Sequence, residues 1–241
     1  MIAGDAGNRQ ALASALDWWM GAGVDTLVDE APRDWLAPPA PAPAHDAPPP
    51  APVAPPALPA TLPELHGWLA TSDALPGDPP RTQRLAPIGD PAGGLMIVLD
   101  MPEQGDAEAD ALLGGEAGLL FDNMLAAIGF GRTSAYIAPF VPARAPGGRI
   151  AASVGQRLAA IMRHHIRLAA PRALLVMGDE AAFPLLGARV PAARGGLRDL
   201  NLDGVTVAAI ATFHPRFLLR NPVRKADAWM DLRLLMGALR P

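Results

Sequence analysis

From about residue 61 to the end of the chain, short apolar runs alternate with stretches whose apolar residues recur every three or four positions. That alternation leaves few architectures open. Leu95–Leu99 follows Gly93-Gly94 and is wholly apolar, as a strand buried on both faces must be. Residues 117–128 place apolar side chains at 119, 120, 124, 125 and 128, a helical face ending at Gly129. A second strand is expected over 135–141, then a long helix over 148–169 stopped before Pro171. A third strand follows at Ala173–Met177, then Gly178 and a short helix over 179–186. The last pair is a strand over 205–211 and a closing helix over 222–239, with Pro222 in its first turn, where a missing N–H costs nothing. Strands alternating with helices build a parallel sheet covered on both sides. The expected fold is a three-layer α/β/α sandwich around a central four-stranded, mainly parallel sheet. In such sheets working residues stand on loops beyond the carboxyl ends of the strands. Here those loops are 99–113, 139–148, 178–180 and 212–221.

The first part of the chain is different. Leu12, Leu16 and Trp19 fall at helical spacing, so a helix or helical hairpin is expected within 8–36. Residues 38–59 contain eleven of the 28 prolines, interleaved with alanine, a composition that favours extended polyproline II and cannot build a core. Three regions result: an N-terminal helical segment (1–37), a Pro/Ala-rich linker (38–60) and a folded domain (61–241). Proline-rich runs also dock into aromatic grooves, and the N-terminal segment is a candidate contact for a protein partner.

The net charge of −4 averages unlike parts. Residues 1–80 carry two arginines and ten acidic groups; residues 131–225 carry fourteen basic groups and four acidic ones. A basic half behind an acidic segment suits a polyanionic partner, and it also suits a plain arginine-rich solvated surface. The chain has no cysteine, which excludes disulfides, thiolate nucleophiles and cysteine-held metal clusters. No apolar run approaches the roughly 18 residues of a membrane span. No basic cluster precedes an apolar core near the N-terminus, so the expectation is a cytoplasmic monomer without membrane attachment, metal or cofactor.

Two loops carry the candidate chemistry. The fourth strand runs into Phe213-His214-Pro215-Arg216-Phe217-Leu218-Leu219-Arg220-Asn221-Pro222. A histidine beside a proline at a strand's end is held rigidly, and imidazole is one of the few groups that can polarise a leaving group near neutral pH. Arg216 and Arg220 suit phosphate. The first strand runs into Asp100-Met101-Pro102-Glu103, which sets a carboxylate on the opposite lip. Singly, a loop histidine and a strand-end aspartate also serve as structural groups, the latter as a cap or turn former. His164 and His165 are adjacent on one helix, face different ways and are expected at the surface. The Gly-Gly pairs match no phosphate-loop spacing and are expected as turns.

The order of these pieces resembles the uracil-DNA glycosylase superfamily, specifically its family 4 type in bacteria, over roughly residues 61–241. Arg81-Thr82-Gln83, Leu95-Met96-Ile97-Val98, Leu120 through Gly129, Ala135-Tyr136-Ile137, Pro171 through Gly178 and Phe213-His214-Pro215 through Pro222 carry the resemblance. It implies a DNA partner, single- or double-stranded with a damaged base, and catalytic roles for Asp100 and His214. It also implies a base pocket at Met101, Pro102, Leu113 and Pro139, and DNA contacts from Arg144, Arg216, Arg220 and Asn221. The chain departs from the family's pattern in that pocket. Asp100 stands for a glutamate and reaches roughly 1.5 Å less far. Glu103 replaces a glycine, Leu113 a phenylalanine on which the base stacks, and Pro139 an asparagine that reads the base's amide edge. Proline at 139 offers no side-chain donor or acceptor, and losing such matched bonds removes on the order of 1–3 kcal/mol of discrimination. The family's four cluster cysteines are absent, two of their positions falling at Ala143 and Leu158.

Two expectations follow. One is a glycosylase that cleaves the N-glycosidic bond of uracil or another deaminated base, with weak or altered selectivity. The other is a module that keeps the fold and binds DNA or protein without the chemistry. An open pocket between Asp100 and His214 favours the first; a pocket filled by Met101, Leu113 and Pro139 favours the second.

Overall fold

In the computed structural model, residues 4–22, 58–202 and 204–239 are described. The chain divides into two compact units, Met1–Ala54 and Pro55–Pro241. In the first, the described part is helix α1 (Gly4–Gly21), with Leu12, Leu16, Trp18, Trp19 and Met20 exposed. The expected continuation of the helical segment toward residue 36, and nearly all of the expected linker, lie outside the described residues.

The second unit runs α2 (Leu62–Thr71), β1 (Leu95–Leu99), α3 (Asp106–Ala109), α4 (Gly115–Ala127), β2 (Tyr136–Pro139) and α5 (Ala152–Ala169). It continues with β3 (Ala173–Met177), α6 (Asp179–Leu186), α7 (Val190–Ala193), β4 (Arg198–Leu202), β5 (Val205–Thr212), α8 (Pro215–Arg220) and α9 (Lys225–Leu239). The sheet order is β2-β1-β3-β5-β4. The four strands expected from their apolar runs are mutually parallel, and β1 and β3 are buried at every position. Side chains alternate between the faces of a strand. Met96 and Val98 therefore join one apolar layer, with Leu158 and Ile166 of α5. Leu95, Ile97 and Leu99 join the other, with Phe121 of α4 and Leu235 of α9.

The sheet has five strands rather than four. β4 pairs antiparallel with β5 at the edge and buries only Leu200 and Leu202. Its remaining residues, Arg198, Asp199 and Asn201, face water, so no continuous apolar run marked it. The helix after β2 starts at Ala152 rather than at 148, and the closing helix opens with a 3₁₀ turn, Pro222–Arg224. After β1 the chain adds β2 on one side and then β3 on the other, so the strand order reverses between β1 and β3. A crevice forms at the carboxyl ends of strands at such a reversal.

His165 is not at the surface. It is 1% exposed, and its Nε2 lies 2.6 Å from the Tyr136 hydroxyl, which lies 2.6 Å from Nε2 of His66 on α2. One hydroxyl serves both rings, donating to one nitrogen and accepting from the other. His164 is half-buried, with Nε2 2.7 Å from the Pro59 carbonyl. Ala143 and Leu158 are buried, so apolar packing occupies those positions.

Burial lowers the His165 pKa to about 3. Its neutral form therefore supports the fold fully above its ordinary value near 6.5, and that support is lost as pH falls from there toward 3. Tyr136→Phe leaves two imidazole nitrogens without their shared hydroxyl. The expected cost is about 1–3 kcal/mol, or a thermal midpoint lower by roughly 2–10 °C for a domain of this size, read by calorimetry at neutral pH.

Candidate active site

The crevice between β1 and β3 is bordered by the residues that follow each strand. Asp100 follows β1 and is 8% exposed; its Oδ1 accepts a hydrogen bond from the backbone N–H of Ala181 at 2.8 Å, in the first turn of α6. Gly178 links β3 to α6 with φ +108, and a Cβ at that position would lie 1.9 Å from Asp100 Oδ2. Only glycine lets the carboxylate settle onto the start of the helix. Burial pushes the Asp100 carboxyl up to about 7, against the hydrogen bonds from Ala181 and Glu180, which pull it down.

His214 caps α8. Its Nδ1 accepts from the backbone N–H of Arg216 at 3.2 Å, and Pro215 fixes the first helical position. An Nδ1 that accepts puts the proton on Nε2. Nε2 is buried and has no hydrogen-bond partner. Burial, reinforced by the Arg216 charge, lowers the His214 pKa to about 3, so the ring is a neutral donor at physiological pH.

Asp100, Gly178, Arg144, His214, Arg216 and Arg220 border one open cavity of about 520 Å³. A neighbouring cavity of about 630 Å³ shares Asp100, Arg149, Arg216 and Phe217 with it. These volumes suit a nucleotide-sized ligand. Phe217 is 41% exposed on the cavity's edge, backed by Phe213 with ring centroids 4.9 Å apart.

Of the residues singled out from sequence, Asp100, His214, Arg144, Arg216 and Arg220 come together here. Asn221 does not border this cavity; its side-chain amide donates to the Phe217 carbonyl at 3.1 Å. Met101, Pro102, Leu113 and Pro139 are buried, and none borders either cavity. Met101 packs in one apolar layer and Leu113 in the other. Pro139 ends β2 opposite Leu99. The four residues leave the cavity open rather than filling it.

The loop after β1 is organised by a residue the sequence did not advertise. Asp106 is 2% exposed, and its carboxylate accepts from the backbone N–H groups of Glu103, Leu113 and Gly114, each at 2.8 Å. Leu113 takes φ +57, a left-handed conformation costing about 1–2 kcal/mol for such a residue. Arg132 holds it there by donating to its carbonyl at 2.9 Å. Glu103 faces inward: Oε2 pairs with Arg216 at 2.9 Å and lies 3.7 Å from Arg144, while Oε1 is buried without a partner. Among the described residues, no group of three or more histidine, aspartate or glutamate side chains converges to hold a metal ion.

Residues 86–233 match the family model of the uracil DNA glycosylase superfamily, more than half of the chain. The chain belongs to that superfamily. It is also 26% identical over 181 residues to a type-4 uracil-DNA glycosylase of Pyrobaculum aerophilum, across 72% of this chain and 92% of that protein. The superfamily match begins just before β1 and ends within α9, so it takes in the whole sheet and both lips of the cavity. Among the described residues no helix is long and apolar enough to cross a membrane.

Gly178→Ala forces the added methyl into the Asp100 carboxylate. We expect a loss of about 1–3 kcal/mol, as for other overpacked sites. Adding Asp100→Ala should return part of it, because the two changes share one contact. Thermal unfolding of the two single variants and the double variant measures the coupling.

Proposed function

We propose that the chain is a DNA glycosylase that hydrolyses the N-glycosidic bond of uracil or another deaminated base, with a selectivity of its own. One observation carries the reading: a neutral histidine with a proton-bearing, unpartnered Nε2 borders the same open cavity as a buried carboxylate. A nucleotide leaves the base stack at a cost of a few kcal/mol, least for a damaged or unpaired base. Arg144, Arg216 and Arg220 offer charge to the flanking phosphates. As the bond from the sugar carbon to the base nitrogen breaks, its electron pair passes to the base and spreads onto a carbonyl oxygen. His214 Nε2–H donates a hydrogen bond to that oxygen without giving up its proton. The sugar becomes oxocarbenium-like, and ionised Asp100 stabilises it and orients water for attack. The water oxygen bonds to the sugar carbon, and its proton leaves through the carboxylate or to solvent.

The second reading, a binding module without chemistry, is favoured by one contact: Asp100 Oδ1 is already engaged by α6, as a helix cap would be. Activity separates the two. Oligonucleotides carrying uracil, hypoxanthine or xanthine are incubated at low salt, treated with alkali and scored for strand cleavage. The expected result is cleavage by the wild type and a loss of about 10²–10³-fold in His214→Ala. Salt-sensitive binding with no cleavage of any substrate would favour the module.

The pH profile tests the roles separately. Asp100 must be ionised to act, and its pKa is about 7, so kcat should rise with pH up to about 7 and level off above it. His214 stays neutral down to about 3 and adds no limb between pH 5 and 9. Asp100→Asn should lower kcat and abolish the limb. A profile that falls on passing from pH 5 to 8 would contradict this assignment of roles.

A further inference from the structure

Three rings among the described residues border the cavity that holds Asp100: Phe213, His214 and Phe217. Phe213 and His214 are buried, whereas Phe217 is 41% exposed. Phe217 borders the neighbouring cavity as well, so its ring stands where the two meet. The core does not need it, for the next residue, Leu218, fills the buried position of α8. Phe213 lies against one face of the Phe217 ring, with the two planes 19° from parallel. The exposed surface is therefore the opposite face and the ring edge. The backing is itself fixed: the Arg194 guanidinium lies over the Phe213 ring, 5.6 Å from its centroid, and pairs with Asp231 at 3.1 Å. Both ends of the Phe217 backbone are tied too. Its N–H donates to the His214 carbonyl at 2.9 Å, and its carbonyl accepts from the backbone N–H of Asn221 at 2.9 Å and from the Asn221 side-chain amide at 3.1 Å.

A flat aromatic face, fixed in advance and set among cations, is a surface on which an unpaired nucleobase stacks. Arg149, Arg216 and Arg220 border the same cavity and supply the cations. Leu113, the position at which the resemblance expects a base to stack, is buried in an apolar layer and borders neither cavity. Phe183, the other exposed phenylalanine among the described residues, borders only the second of the two cavities, and the Arg189 guanidinium lies over its ring, 5.8 Å from the centroid. Phe217 is thus the aromatic face that a base entering beside Asp100 can reach.

We propose that Phe217 is the base-stacking residue of this site, its open face receiving the ring of the nucleotide that enters the cavity beside Asp100. The proposal rests on the glycosylase reading of the cavity and names the residue that holds the substrate base. Stacking uses the face of the base and leaves its hydrogen-bonding edge free, so Phe217 contributes affinity for a planar base without choosing among bases. It follows that the aromatic contact comes from α8, the helix that His214 caps, rather than from the loop after β1.

Binding tests this with the full chain and cleavage-resistant single-stranded oligonucleotides, followed by fluorescence anisotropy. One strand carries 2′-fluoro-arabinouridine and a second its dihydro derivative, which keeps the amide edge of uracil on a puckered ring that cannot stack. A third carries 2′-fluoro-arabinouridine beside an abasic residue. The expected result is wild-type binding about tenfold tighter to the first strand than to the second, and within about threefold for the first and third. Phe217→Leu keeps an apolar side chain without a flat face and should bring the first two strands to within about threefold, whereas Phe217→Tyr should keep the preference. Should Phe217→Leu not fold, Phe217→Met takes its place with the same expectation. Equal binding of the first two strands by the wild type, or a preference that survives in the folded Leu or Met variant, overturns the proposal. So does a wild-type loss that follows the abasic neighbour instead, which would give the ring to the adjoining base. The cleavage assay is independent: cleavage without the preference removes the role of Phe217 and keeps the glycosylase, whereas preference without cleavage removes the glycosylase and keeps the stacking.

Discussion

The contact between the Asp100 carboxylate and the first turn of α6 joins the two strands on which the site is built. Asp100 leaves β1, α6 leaves β3, and the strand order reverses between them. The contact exists because Gly178 has no side chain: a Cβ would stand 1.9 Å from the carboxylate. Helix N-termini favour negative charge, yet burial raises the Asp100 pKa to about 7. Desolvation therefore outweighs the amide hydrogen bonds, and the carboxylate is poised between its two forms at neutral pH. A group in that state can both cap a helix and take part in proton-linked chemistry.

Around this contact the site sorts its charges by depth. Arg220 is exposed at the rim, Arg144 and Arg216 are half-buried and meet Glu103, and His214 is buried and uncharged. Cations thus stand toward the mouth, and a neutral imidazole lies deeper. The neutrality of His214 follows from its surroundings: burial opposes a cation, and the Arg216 charge opposes it further. Loop 100–114 keeps its shape because three backbone N–H groups converge on Asp106. That arrangement fixes the start of the Glu103 side chain and lets Leu113 hold a conformation that a free loop would abandon.

The apolar runs at Leu95–Leu99 and Ala173–Met177 were legible as buried strands because a strand covered on both faces can carry no polar residue. Asp100 and His214 were legible because they follow such runs, at the sheet's carboxyl edge. β4 was not, since an edge strand buries one side only and Arg198, Asp199 and Asn201 look like loop residues. His165 was misplaced for a related reason. Beside His164 and among arginines it reads as polar surface, and only the Tyr136 hydroxyl, 29 positions away in sequence, makes a buried histidine affordable. The expected pocket residues Met101, Pro102, Leu113 and Pro139 came from a resemblance, and alignment assigns positions along a chain, not the directions their side chains take.

By itself the sequence determined the layers, the parallel strands and the loops at which chemistry could stand, because periodicity and apolar continuity are local properties that burial imposes residue by residue. The tertiary structure alone decided which polar atoms remain unpaired. Glu103 reads as a misfit where a glycine was expected; its buried, half-satisfied carboxylate beside His214 arises from residues 103, 144, 214 and 216 meeting across three loops. Hydrogen-bond satisfaction is a property of that meeting, and no segment of the chain carries it alone.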